Sequence, residues 1–149
     1  MKINSIHAQS GVMLIEAMVG ALIFLVGIIA LMGMQAAAMS TTSEAKYRSD
    51  AAYYASQIIS RIWTDRTNIA GYHTCSGGVV NQEVTYWRAE VAASLPGASA
   101  VSNLPSVCVV SSTGGFDITV TVFWSKPGDV NAGAPVQHKF TAVSRVDFN

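Results

Sequence analysis

The stretch GVMLIEAMVGALIFLVGIIALMGMQ, Gly11 to Gln35, decides how the rest of the chain is read. From Ala17 to Thr42 no side chain carries charge. The core of the run, Ala17 to Met34, meets the usual criterion for a membrane-spanning helix, about 18 consecutive apolar residues. One carboxylate, Glu16, stands just inside the apolar run. A secretory signal peptide would have a hydrophobic region of about 7–15 residues. Here the run extends from Val12 to Met34, broken only by Glu16. A plain single-span anchor is a second description. A third is an apolar helix with two settings, first a bilayer and later a protein assembly. Glu16 favours the third, because a carboxylate at the centre of a span costs about 2.5–3.5 kcal/mol and usually has a partner. The alternative for Glu16 is a hydrated position at headgroup depth.

This segment resembles the class III signal of type IV pilins and type II secretion pseudopilins. Such signals have a short leader ending in Gly, then an apolar helix with Glu at its fifth position. Here the leader would be Met1 to Gly11, the mature chain would begin at Val12, and Glu16 would be its fifth residue. More weakly, the remainder resembles minor pilins of the PilV type, in the stretch YWRAEVAASLPGASA and a short C-terminal sheet. The chain differs from the common pattern in having Val12 first, Met13 second, one basic leader residue (Lys2), and Gly33 where major pilins often have Pro.

The resemblance implies a sequence of events. A prepilin peptidase would cut between Gly11 and Val12, and the new Val12 amine would be N-methylated. The span would remain in the inner membrane, head in the periplasm, until an assembly platform moved it into a fibre. There Glu16 would accept a charge-assisted hydrogen bond from a Val12 amine, fixing register among neighbouring helices. The expected partners are other minor pilins, the major pilin, the peptidase and the platform.

Past Met39 the composition changes to STTSEAKYRSDAAYYASQIISRIWTDR. Tyr47, Ala51, Tyr54, Ala55, Ile58, Ile59 and Ile62 recur at helical spacing, with charged residues mostly opposite. No Pro lies between Val12 and Leu95. One long helix is therefore expected from about Leu14 to Asn68, apolar all round in its first half and amphipathic in its second. At 1.5 Å per residue it would be roughly 80 Å long. Gly33 is a candidate for local melting, and Gly20 and Gly27 for close helix packing. Three segments follow: a leader at 1–11, an apolar helix at 12–40, and a head at 41–149.

The head reads as α+β, a pilin-like fold with the long helix packed on a small antiparallel sheet and a second short helix. That helix is expected from about Gln82 to Ser94, with Val84, Trp87, Val91 and Leu95 as its apolar stripe. Strands are expected at Ser106–Ser112, Phe116–Trp124 and Val136–Val146. In the middle one Phe116, Ile118, Val120, Val122 and Trp124 face one side, and Asp117, Thr119 and Thr121 the other. Ser125–Pro135 is expected to be a turn-rich loop. With the 97–106 connection, it is the expected surface for partner contact. Trp63, Trp87 and Trp124 are expected as core or interface anchors.

The N-terminal signal places the head outside the cytoplasm, where disulfides persist. Cys75 and Cys108 are the only cysteines and allow one pairing. It would close a loop of about 34 residues, for roughly 3–4 kcal/mol on the chain-entropy estimate. A metal site built from these cysteines with His73 and His138 is disfavoured, because no Cys-x-x-Cys or close His spacing is present.

Composition narrows the function classes. Of 149 residues, 50% are hydrophobic and only 12% charged, with nine basic and nine acidic side chains and no net charge. That balance argues against nucleic-acid binding. Phosphate-binding glycine loops, His-Glu-x-x-His and Gly-x-Ser-x-Gly do not occur in the sequence. His73, His138 and Asp117 read as structural or solvated. The sequence thus points to a structural protein without catalytic residues, cofactor or metal, and the resemblance implies a minor pilin that helps prime pilus assembly as part of a complex at the fibre tip. A type II secretion pseudopilin is the near alternative. A membrane-anchored receptor or enzyme is the alternative of another class.

Overall fold

A computed structural model describes residues 10–76, 80–100, 103–131 and 133–147. The leader residues before Ser10 lie outside them, as do Val101 and Ser102 of the 97–106 connection. The chain forms two compact units, divided between Thr42 and Ser43.

The first unit is helical from Ser10 onward, within α1 (Ser10–Thr64). Gly33 does not interrupt it, and neither do Gly20 and Gly27, so the melting considered at Gly33 is absent. A Cβ added at any of these three glycines would meet nothing within 4 Å. Nearly every described residue of this unit is exposed, including Leu22, Ile23, Phe24, Leu25 and Ile29.

The second unit has α+β architecture. It holds residues 43–64 of α1, a 3-10 helix (Arg66–Tyr72), α2 (Gln82–Ser94) and strands β1 (Ser106–Ser112), β2 (Gly115–Asn131) and β3 (Ala134–Asp147). The sheet is antiparallel in the order β1-β2-β3. Its core joins Ala51, Ala55, Ile58 and Ile62 of α1 to Val84, Trp87 and Val91 of α2, and to Ile118, Val120, Val122 and Trp124 of β2. Both apolar stripes read from sequence are the buried faces. Tyr47, Tyr54 and Ile59 pack at the margin of this core.

α1 ends at Thr64, four residues before the expected Asn68. The cause is local. Asp65 leaves helical geometry, and its carboxylate accepts bonds from Asn68 Nδ2 (2.7 Å) and the Tyr72 hydroxyl (3.3 Å). A short acidic side chain competes with helix continuation in this way and knots the following turn. Arg61 lies in the last turn of α1, whereas Arg66 lies beyond the α-helix. α2 matches its expected limits. Asn81 caps it, its side chain accepting from the Val84 amide at 2.9 Å.

The expected loop Ser125–Pro135 is instead largely strand. β2 and β3 pair on to Asn131↔Ala134, with a register shift between Ser125 and Val130. Pro127 and Gly128, the source of the loop expectation, fall within this irregularity, where Gly128 takes φ +81°. The bulge absorbs the turn-forming residues and the hairpin continues past it.

Candidate functional site

The N-terminal segment carries the residues singled out for processing and assembly. Gly11, Val12 and Glu16 all lie in α1, and all three are exposed. Val12 and Glu16 are four residues apart, one helical turn, so they share a face. The helix is long and apolar enough to cross a membrane, and none of its most apolar window is buried. Bare apolar side chains such as Phe24 and Ile29, 69% and 70% exposed, need a bilayer or other helices around them.

In the head, the two cysteines are joined, Cys75 to Cys108, with Cα atoms 5.3 Å apart. The bond fastens residues 73–75 along the outer edge of β1. Thr74 donates its amide to Val107 O at 2.8 Å and accepts the Val107 amide on its hydroxyl at 2.8 Å. His73 Nδ1 accepts the Val109 amide at 3.0 Å. This edge of the sheet is therefore occupied by side chains and a crosslink rather than by a strand.

His138 of β3 sits between two carboxylates. Its Nε2 is 3.1 Å from Asp129 of β2, its Nδ1 is 3.5 Å from Glu44 of α1, and its ring stacks on Trp124 at 5.8 Å. The carboxylates meet opposite nitrogens of one ring and so share no central point for a cation. Among the described residues, no group of three His, Cys, Asp or Glu is arranged to hold a metal ion. The pairing of His138 with Asp129 was invisible in the sequence, because Asp129 lies in the irregular stretch between Ser125 and Val130.

Other polar groups tie elements together. Arg61 reaches Glu83 at 3.4 Å and Glu90 at 3.3 Å, linking α1 to α2 on the surface, where such pairs add little. Trp87 Nε1 donates to Tyr54 O at 2.9 Å. Burial, then the nearby Asp65 carboxylate, raises the pKa of the Tyr72 phenol. Desolvation lowers that of Arg88, whose Nε donates to Pro105 O at 2.9 Å. Trp87 and Trp124 are core residues, while Trp63 is 39% exposed and donates to the Ser144 hydroxyl at 3.3 Å.

No protein-family model, curated protein or solved structure matches this chain.

Proposed function

We propose that this protein is a minor pilin of the PilV type, incorporated into type IV pili and helping to prime their assembly with other minor pilins. One observation carries the proposal. Within α1, an apolar run with no protein cover follows the Gly11-Val12 junction, holds a single carboxylate, Glu16, one turn later, and is followed in the chain by a disulfide-stapled α+β head. Cleavage between Gly11 and Val12 frees an amine on the face that bears Glu16. In a helix bundle with lipid excluded, an unpaired carboxylate is costly, so Glu16 pairs with a Val12 amine and sets register. The inner membrane holds the chain before assembly, and the fibre holds it afterwards.

The test is the N-terminal residue of the mature protein. A chain that begins at N-methylated Val12 supports the proposal; one that keeps residues 1–11, or that begins after Ala38, ends it. Recovery in sheared surface fibres supports the pilus, and recovery only with secretion components moves the protein to the pseudopilins. Gly11→Val should leave uncut precursor in the membrane. Glu16→Gln should be cut normally yet be lost from fibres.

A further inference from the structure

Three elements of the head converge on one imidazole. His138 of β3 presents Nε2 to Asp129 at 3.1 Å and Nδ1 to Glu44 at 3.5 Å. Its ring stacks on Trp124, a buried side chain that gives the imidazole a fixed wall. A neutral imidazole carries one N–H and one lone pair, whereas the imidazolium carries two N–H groups. With a carboxylate at each nitrogen, the neutral ring must set its lone pair against an oxygen on one side or the other. The imidazolium can donate toward both, and an indole face at this distance also attracts a cation. Asp129 gives the arrangement its reach. It lies in the stretch between Ser125 and Val130 where β2 and β3 lose register, and beyond it the hairpin ends on the pairs Val130↔Pro135 and Asn131↔Ala134. Pro127, Gly128, Val130 and Asn131 are exposed, so little apolar packing holds this end. Glu44 belongs to the part of α1 that lies in the head.

We propose that His138 is a proton-operated clasp. As imidazolium it holds Asp129 and Glu44 together and fastens the hairpin end to α1. As neutral imidazole it releases one of the two carboxylates, and the hairpin end loosens. Order at the hairpin end is therefore present in mildly acid surroundings and declines as pH rises through the range in which an imidazole loses its proton, about pH 5–8. The other titratable groups of the packed elements do not compete for this role. On α1, Lys46 and Arg48 follow Glu44, and Tyr47 packs at the margin of the core. On β2, Lys126 precedes Asp129, and on β3, Lys139 lies on the opposite face of the sheet. By their ordinary values lysine, arginine, tyrosine and carboxylate side chains keep one charge state between about pH 5.5 and 8. His73, the other described imidazole, sits at the edge of β1 on the Val109 amide. Neither the clasp nor its test depends on the function proposed above.

The test is amide hydrogen exchange of the full chain in lipid nanodiscs at about pH 5.5 and about pH 7.5, scored as protection relative to the unstructured rate at each pH. Protection of residues 130–137 should be roughly threefold lower at the higher pH, a modest change because all three side chains are partly exposed. His138→Phe keeps a ring on Trp124 but binds neither carboxylate, so protection there should be low at both pH values. Glu44→Gln is the decisive variant. Its amide can donate to Nδ1 while Nε2–H donates to Asp129, which satisfies the neutral ring at both nitrogens. Protection should then stay at its acid level at the higher pH. The clasp is overturned by equal protection of the unaltered chain at both pH values, by a pH response that survives His138→Phe, or by failure of Glu44→Gln to hold protection at the higher pH.

Discussion

Thr74 and Val107 exchange two hydrogen bonds: the Thr74 amide donates to Val107 O, and the Val107 amide donates to the Thr74 hydroxyl, each at 2.8 Å. A threonine side chain thus completes a backbone pairing that a strand would otherwise supply. Thr74→Val keeps the shape and leaves the Val107 amide without its acceptor. A loss of about 1–3 kcal/mol is expected in urea unfolding, with Thr74→Ser close to wild type. Equal stability of the valine variant would show that water replaces the hydroxyl.

Trp87 is fully buried and bonded to Tyr54 O. Trp87→Ala should cost about 3–5 kcal/mol. Trp87→Phe keeps much of the apolar area and should cost clearly less. Denaturation of both variants in the same detergent checks the order.

Asn81 caps α2 through the Val84 amide. Asn81→Ala should cost about 0.5–2 kcal/mol and Asn81→Asp much less, since both acid and amide side chains cap well. Exchange rates of the first-turn amides of α2 give a local readout.

Tyr72 binds its proton more tightly in the folded head than in the unfolded chain, because of burial and then Asp65. Below the ordinary phenol value of about 10, both states keep the proton and the shift has no effect on the slope. Above it, the unfolded chain ionises first, so stability falls with rising pH until the folded phenol also ionises. Tyr72→Phe should flatten that part of the alkaline decline. Urea midpoints of both proteins between about pH 9 and pH 12 test it; identical slopes would exclude Tyr72 as the source.

Much of the head was readable because its signals are periodic. The stripe from Ala51 to Ile62 and the alternation from Ile118 to Trp124 each have one buried face, and burial follows the period. The Cys75–Cys108 bond also follows from simple counting, given an exported head. Errors arose where one side chain or one irregularity overrode local preference. Asp65 stopped α1 four residues early by binding forward to Asn68 and Tyr72. Pro127 and Gly128 read as a loop, yet a bulge let the hairpin run past them. Of the partners of His138, Asp129 lies within that bulge and Glu44 on α1, and neither left a sequence signal. At the N-terminus the apolar character of α1 was plain from composition. The roles proposed for Gly11, Val12 and Glu16 rest on resemblance, while the geometry places all three exposed on α1.

The Cys75–Cys108 crosslink also makes the cover of β1 depend on the redox state of its surroundings. Thiols stay reduced in a reducing cytosol, so a head that folded there would hold residues 73–75 on β1 by hydrogen bonds alone, with both borders of its sheet prone to stray pairing. Oxidation fixes that cover covalently. Reduction should therefore loosen residues 73–75 before the rest of the sheet.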